Sequence, residues 1–108
     1  MDNDFGALGV QSDLIENIAV DGITSPAPIQ ELAIPPLIDG RDLLAQAPTG
    51  SGKTIAFLLP VIESIDTGLR APQALILAPT RELAQQIRVV AEMAARDKIA
   101  WVHFRNVR

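Results

Sequence analysis

Residues 47–54 of this chain, Ala-Pro-Thr-Gly-Ser-Gly-Lys-Thr, combine residue types that can bind phosphate. Gly50 and Gly52 allow the backbone to turn and approach an anion without a Cβ in the way. The turned N–H groups can form an anion-binding nest, and a helix that begins there directs its positive end at the phosphates. Lys53 would neutralise oxygens of the β- and γ-phosphates, and the Thr54 hydroxyl would be a ligand of Mg²⁺. The segment therefore predicts a site for a nucleoside triphosphate and Mg²⁺.

The pattern is that of a P-loop in which Ala47 stands where a first glycine is usual. A plainer interpretation is a Gly/Ser turn that contains a lysine by chance. The flanking segments argue against it, because residues 42–46 suit a buried strand and residues 53–65 suit a helix with a kink at Pro60. The motif requires this order of strand, loop and helix, although the loop alone does not say which reaction follows.

The segments that follow predict an α/β fold. Residues 73–78, Gln-Ala-Leu-Ile-Leu-Ala, are a second apolar run that suits a buried strand. A helix is expected from Thr80 to Ala95, with Arg88–Glu92 and Glu92–Arg96 paired on its surface. Residues 98–104 suit a third strand. The order β-α-β-α-β implies parallel strands joined by right-handed crossovers.

The first forty residues predict helices, and no long run there suggests a buried strand. A short helix is expected from Asp13 to Val20, with Asp13 as its N-cap. Pro28 suits the first position of a second helix. Pro35 and Pro36 are expected to break or kink that second helix, because proline has no N–H to donate.

Composition narrows the classes of protein to which the chain can belong. It has 108 residues, 48% of them hydrophobic, which suits one small globular domain. It has no cysteine and one histidine, so disulfides and thiolate metal sites are excluded and a His-based zinc site is disfavoured. The net charge of −4 provides no general basic field, so any contact with nucleic acid must depend on local geometry. No apolar run is long enough to cross a membrane and no signal peptide is recognisable, so a cytoplasmic protein is expected.

Two further segments, together with residues 47–54, resemble the motifs of a known family. One is Gly22–Gln30, Gly-Ile-Thr-Ser-Pro-Ala-Pro-Ile-Gln, with Phe5 lying 17 residues before Gly22. The other is Pro79–Ala84, Pro-Thr-Arg-Glu-Leu-Ala. In order and spacing the three segments resemble the Q motif, motif I and motif Ia of the DEAD-box ATP-dependent RNA helicases.

The resemblance runs from Phe5 to about Ile87 and implies a fold. That fold is a P-loop NTPase of the RecA-like type, a parallel sheet with flanking helices, here truncated. Residues 1–108 would form part of the first RecA-like domain, with residues 1–40 as the Q-motif region and residues 41–108 as the P-loop and motif Ia core.

The resemblance also implies roles in binding ATP and Mg²⁺. The amide of Gln30 would select adenine through its exocyclic amine and N7, and the ring of Phe5 would stack on the adenine face. Without the resemblance, Gln30 is an ordinary surface glutamine and Phe5 a core aromatic. The nucleotide-contacting residues implied are Phe5, Ile23, Pro28, Gln30, Ala47, Thr49, Gly50, Ser51, Gly52, Lys53 and Thr54, of which Lys53 and Thr54 are the catalytic candidates and Thr54 the Mg²⁺ ligand.

Motif Ia implies a contact with the sugar–phosphate backbone of RNA through Pro79, Thr80 and Arg81. A threonine at a helix start exposes its hydroxyl and nearby N–H groups, and arginine can pair bidentately with phosphate. A plainer interpretation makes Thr80 only a helix N-cap and Arg81 only a solvated charge. For Thr80 both interpretations can hold together.

The chain lacks the acidic pair that ATP hydrolysis needs in this architecture, since no Asp-Glu dipeptide occurs in it. We therefore expect the parent helicase to act through a missing C-terminal part and a second RecA-like domain, and this chain alone to be inactive. The alternative is a nucleotide-binding fragment without catalysis. A small P-loop kinase is disfavoured, because the helix that begins at Pro-Thr-Arg-Glu-Leu-Ala occupies the place where a kinase needs its lid and substrate pocket.

Overall fold

Helices make up the regular structure of the residues that the structure describes. The computed structural model describes residues 4–48 and 50–95. Within those residues it contains five α-helices: α1 Asp4–Ala7, α2 Ser12–Ala19, α3 Pro28–Ile38, α4 Lys53–Glu63 and α5 Arg81–Ala94. No helix in these two described ranges has the length and apolar character needed to cross a membrane.

The core forms where the helices meet. Helix α3 packs on α4, α4 on α5, α5 on α2, and α2 on α1. The side chains that share this core come from all five helices, and those with no exposed surface include Phe5, Leu14, Ile18, Ile34 and Leu59. The loop predicted to bind phosphate leads directly into α4, which has more buried residues than any other described helix. The position of the loop's end is therefore set by the centre of the core.

Helix α2 begins one residue earlier than predicted, and its cap differs. Gln11 is the N-cap and makes no side-chain capping bond, whereas Asp13 lies inside the first turn. The prediction that Asp13 caps the helix is therefore wrong. A carboxylate in the first turn still interacts favourably with the positive end of the helix dipole. The start of α2 is secured from outside, because the backbone N–H of Gln11 donates to Oε2 of Glu63 at 2.8 Å.

Helix α3 begins at Pro28, as predicted, but Pro35 and Pro36 do not end it. The helix continues through both prolines to Ile38. Each proline removes one N–H, and the carbonyls left without that partner belong to Glu31 and Leu32. Both residues are exposed, Leu32 with 74% of its surface, so water can donate to these carbonyls. The prolines therefore cost less here than in a buried helix.

Helix α5 confirms the predicted N-cap and one of the two predicted ion pairs. Oγ1 of Thr80 accepts a hydrogen bond from the N–H of Leu83 at 3.1 Å. Arg88 and Glu92 form an ion pair at 3.7 Å on the exposed face. The predicted Glu92–Arg96 pair involves a residue outside the described part of the chain.

The predicted buried strands are not seen in the described residues. Residues 42–46 and 73–78 are assigned to no strand, and Leu44, Leu75 and Leu77 are 100%, 84% and 80% exposed. A strand needs a neighbour to pair its backbone N–H and C=O groups. The third predicted strand, residues 98–104, lies outside the described residues. The parallel sheet therefore stays a prediction, and burial of these two segments is not observed.

The contrast between buried and exposed leucines can be measured. We expect Leu59→Ala, at a site with no exposed surface, to lower the free energy of unfolding by about 2–5 kcal/mol. Leu44→Ala, at a fully exposed site, should change it by less than about 0.5 kcal/mol. Urea denaturation followed by circular dichroism measures both. An equal loss in the two variants would show that residues 42–46 are covered in solution.

Candidate functional site

The loop of residues 47–54 has the backbone geometry of an anion nest at its glycines. Gly50 and Gly52 have φ values of 82° and 89°, in the left-handed region that favours glycine. Between them, the N–H of Ser51 donates to the carbonyl of Pro48 at 3.2 Å and tightens the turn. Thr49 lies outside the described residues.

The start of α4 is open to a ligand. Gly52 is its N-cap and carries no side chain, so no side chain caps the first N–H groups. The first four N–H groups of a helix have no partner inside the helix, and they attract anions together with the helix dipole. Lys53 occupies the first helical position with an exposed side chain, and Thr54, half-buried, occupies the second. A positive charge, a hydroxyl and N–H groups that have no partner inside the helix therefore meet at one helix end.

Gln30 is buried and joins α3 to the loop. Only 4% of its surface is exposed, so the plainer interpretation as a surface glutamine is wrong. Its Oε1 accepts from the N–H of Ala27 at 2.8 Å, and its Nε2 donates to the carbonyl of Gly52 at 3.1 Å. An amide oxygen has two lone pairs and an amide nitrogen two hydrogens, so one of each remains after these bonds. Contact of Gln30 with adenine stays a prediction.

Gly52 is required by its neighbour as well as by its backbone. A Cβ built on Gly52 would collide with Nε2 of Gln30, and it would also approach the Cβ of Ala27 to 3.6 Å. The carbonyl of Gly52 is the group that Gln30 holds, so the close approach and the hydrogen bond belong to the same packing. Sequence reasoning assigned Gln30 to adenine and missed this contact. Its place three residues after Ala27 indicates the bond back to the N-cap N–H of that residue. No local signal indicates the contact with Gly52, which lies 22 residues away in the sequence.

Ser51 places a buried hydroxyl in the loop. Its Oγ is inaccessible to water and has no hydrogen-bond partner within residues 4–48 and 50–95. A buried hydroxyl without a partner costs about 1–3 kcal/mol. A ligand oxygen at the loop would give this hydroxyl an acceptor.

Phe5 lies in the core and not at an accessible surface. None of its surface is exposed, and it belongs to the cluster that contains Leu14 and Ile18. Stacking on adenine needs an open ring face, so the predicted role would require Phe5 to leave the core. It stays a prediction. Ile23 is half-buried and Pro28 exposed, and their roles are likewise untested.

The predicted RNA contact lies at the start of α5. Pro79, Thr80 and Arg81 are all exposed. The oxygen of Thr80 accepts from Leu83, and its hydroxyl hydrogen can still donate to another group. The confirmed N-cap is therefore compatible with a phosphate contact, which stays a prediction.

Residues 4–48 and 50–95 hold no group of three or more His, Cys, Asp or Glu side chains arranged to bind a metal. The Thr54 hydroxyl as a ligand of Mg²⁺ stays a prediction.

The chain is similar in sequence to known helicases. The family model described as DEAD/DEAH box helicase matches residues 27–104. The chain is 54% identical over 83 residues to the ATP-dependent RNA helicase DeaD of Klebsiella pneumoniae, covering 77% of this chain and 13% of that protein. It is 50% identical over 86 residues to the ATP-dependent RNA helicase FAL1 of Mycosarcoma maydis, covering 80% of this chain and 22% of that protein. The chain thus spans less than a quarter of either relative.

Solved structures agree with the sequence comparison. Dbp5 of S. cerevisiae, bound to RNA and ADP BeF3, superposes with a TM-score of 0.81 at 36% identity, over 85% of this chain and 24% of that one. A DEAD box protein from the hyperthermophile Methanococcus jannaschii superposes with a TM-score of 0.82 at 35% identity, over 88% of this chain and 26% of that one. The arrangement of the described residues is therefore similar to that of DEAD-box helicase domains.

The packing of Gln30 on Gly52 predicts a coupling between the two residues. Gly52→Ala should lower the free energy of unfolding by about 1–3 kcal/mol more than Gly40→Ala does. Gly40 has a similar φ of 84° but open space around its Cβ position, so it controls for backbone strain alone. In a Gln30→Ala background the excess should shrink, because the colliding amide is gone. Denaturant unfolding measures all four variants, and equal costs for the two glycines would contradict the packing.

Proposed function

Because this chain belongs to the DEAD/DEAH box helicase family, we propose that it binds ATP and RNA as part of an ATP-dependent RNA helicase. The observation that carries the proposal is the phosphate-binding loop, with two left-handed glycines at the uncapped start of α4 and with Gln30 bonded to Gly52. The relatives whose names state this activity are several times longer, so unwinding or remodelling of RNA is proposed for the parent protein.

The loop binds the phosphates of the nucleotide. The N–H groups of the first turn of α4 point at the bound anion, and the dipole of α4 adds to their attraction. The exposed ammonium of Lys53 reaches the β- and γ-phosphate oxygens. The Ser51 hydroxyl donates to a phosphate oxygen and so gains the partner that it lacks within the described residues. Ala47 and Thr49 complete the loop.

Thr54 is the residue proposed to hold Mg²⁺ together with the nucleotide. When bound, the ion neutralises phosphate charge and polarises the phosphoryl group. A hydroxyl oxygen is a ligand type that Mg²⁺ accepts, and Thr54 stands at the second position of α4 beside the proposed phosphate site.

Gln30 is proposed to select adenine with the hydrogen-bonding capacity that it has left. Its remaining lone pair can accept from the exocyclic amine of adenine, and its remaining hydrogen can donate to N7. Guanine presents a carbonyl oxygen in place of that amine, so it would face the oxygen of Gln30. Ile23 and Pro28 are proposed to line the base. Stacking of Phe5 on the base is proposed only as the resemblance implies it, because its ring is buried in the core.

The start of α5 is proposed to hold the RNA backbone. Dbp5 was solved bound to RNA, and 85% of this chain superposes on part of Dbp5. Arg81 has an exposed guanidinium that can pair with one phosphate through two hydrogen bonds. The Thr80 hydroxyl and the exposed segment at Pro79 would add contacts that do not depend on base sequence. Because the chain carries a net charge of −4, its attraction to RNA is local.

Hydrolysis is proposed to need the rest of the parent protein. No Asp-Glu dipeptide occurs in the chain, so the carboxylates that would hold Mg²⁺ and orient water must come from elsewhere. The proposed partners are accordingly the C-terminal part of the parent and its second RecA-like domain. A nucleotide-binding fragment without catalysis is the alternative. The cytoplasmic location stays a prediction.

Lys53 should matter for nucleotide binding and little for stability. We expect Lys53→Ala to weaken binding of a fluorescent ADP by about tenfold to one hundredfold, because it removes a charge-assisted contact worth roughly 1.5–3 kcal/mol. Arg70→Ala removes another exposed cation and should leave the affinity within about twofold. Fluorescence titration measures both variants. If the 108-residue chain without substitutions bound no fluorescent ADP at millimolar concentration, the proposal would be contradicted.

The 108-residue chain and its Lys53→Ala variant also test whether the chain hydrolyses ATP without the rest of the helicase. The 108-residue chain without substitutions should release no more phosphate from ATP than the buffer blank does. Phosphate release that disappears in Lys53→Ala would show that the chain hydrolyses ATP by itself.

Arg81 should contribute to binding of RNA through its charge. Arg81→Ala should weaken binding of a single-stranded oligouridylate and lower the slope of log affinity against log salt by about 0.7, the value for one lost phosphate contact. Arg88→Ala, which removes an exposed arginine of the same helix that is paired with Glu92, is the matched control. Fluorescence anisotropy across a salt series measures both. Equal slopes for the two variants would remove the role of Arg81.

A further inference from the structure

Helix α2 joins the C-terminal ends of the two helices that begin at the proposed binding sites. The N–H of Gln11, the N-cap of α2, donates to Oε2 of Glu63, the last residue of α4, at 2.8 Å. Near the other end of α2, Nδ2 of Asn17 donates to the carbonyl of Ala94, the last residue of α5, at 2.9 Å. Neither contact takes part in the proposed chemistry.

The contact at Asn17 satisfies a group that water cannot reach easily. The last carbonyls of a helix have no partner inside the helix. Ala94 has no exposed surface, and among the described residues the amide of Asn17 gives its carbonyl a donor from outside α5. Leu14 and Ile18 of the same helix are fully buried in the shared core, and they hold α2 against its neighbours. Helix α2 is therefore fixed by packing and by polar contacts near both ends.

The geometry brings the C-terminal ends of α4 and α5 to one side of the domain. Gln11 and Asn17 are about 9 Å apart along α2, from the helical rise per residue. Glu63 and Ala94 must both lie within reach of that short helix. Helices α4 and α5 also pack on each other. With their C-terminal ends held at α2, the angle at which each helix leaves α2 determines where its N-terminal end lies. A small rotation at the C-terminal end becomes a larger displacement about 21 Å away, at the start of the 14-residue α5.

We propose that α2 is a strut that sets the angle and spacing between α4 and α5, and that Asn17 is a positioning residue for the start of α5. The strut would hold Arg81 at a constant distance from the phosphate-binding loop, so that nucleotide and RNA are bound in one geometry. The assignment of those two ligands rests on the proposed function, whereas the strut itself concerns only the helices.

The first test measures the geometry without any ligand. The chain has no cysteine, so the substitutions Lys53→Cys and Gln85→Cys introduce the two sites at which spin labels attach. Pulsed electron–electron double resonance then gives the distribution of distances between the two labels. Asn17→Asp keeps the size of the side chain, but its carboxylate cannot donate and is repelled by the negative end of α5. We expect this variant to broaden or shift the distribution. An unchanged distribution would overturn the strut.

Matched variants separate positioning from loss of folding. Glu16→Ala changes an exposed residue of the same helix and should leave the distribution as in the parent chain. Glu63→Gln keeps an acceptor oxygen for Gln11 and should resemble the parent, whereas Glu63→Ala should behave like Asn17→Asp. Where circular dichroism shows that Asn17→Asp is unfolded, Asn17→Ala removes the donor without adding charge and provides the same comparison. If Glu63→Gln and Glu63→Ala gave the same altered distribution, the contact with Gln11 would not be part of the strut.

The second test separates this inference from the proposed function. Asn17→Asp should weaken binding of the oligouridylate by about threefold to tenfold and leave the affinity for fluorescent ADP within about twofold. A parallel loss of both affinities would indicate a general structural role and overturn the positioning role. A changed distance with both affinities unchanged would keep the strut and count against the RNA contact at the start of α5.

Discussion

The site depends on the two hydrogen bonds that the buried side-chain amide of Gln30 makes. The amide bonds at one end to Ala27, at the start of α3, and at the other to the carbonyl of Gly52, the residue that ends the loop and caps α4. A buried amide without partners would cost several kcal/mol, so both bonds must form for the two segments to pack. The same contact leaves no room for a side chain at position 52. The region before the loop thus helps to set the loop's conformation before any nucleotide binds.

Two helix starts in this domain use their first N–H groups differently. Gly52 caps α4 without a side chain, so the groups there are available to phosphate. Thr80 caps α5 with its own hydroxyl oxygen, which occupies the N–H of Leu83. The first arrangement suits a multiply charged nucleotide held by many donors. The second suits a single phosphate held by a guanidinium and a hydroxyl, and α2 ties the far ends of both helices together.

The stability of the described structure comes from helix packing. Buried side chains of all five helices form one core, while the large apolar residues of segments 42–46 and 73–78 remain exposed. These segments have the composition of strands that are covered on both faces, as in parallel sheets of α/β domains. Leu44, Leu75 and Leu77 each expose at least 80% of their surface. Large exposed apolar patches are uncommon in globular proteins and indicate surfaces that other structure covers.

The amino-acid sequence by itself determined the local features. The start of α3 at Pro28, the cap at Thr80 and the Arg88–Glu92 pair all follow from residues within four positions of one another. The family was also readable, because its motifs are short and their side chains are chemically specific.

Tertiary structure decided which side chains are buried and what they contact. Gln30 meets Gly52 across 22 residues and Asn17 meets Ala94 across 77, and no local pattern encodes either contact. Phe5 lies in the core for the same reason, since burial depends on neighbours contributed by other helices. The prolines of α3 are tolerated because that face of the helix is open to water. The predicted strands are not seen in the described residues. A sequence pattern can show that a segment suits pairing, but it cannot supply the neighbour with which a strand pairs.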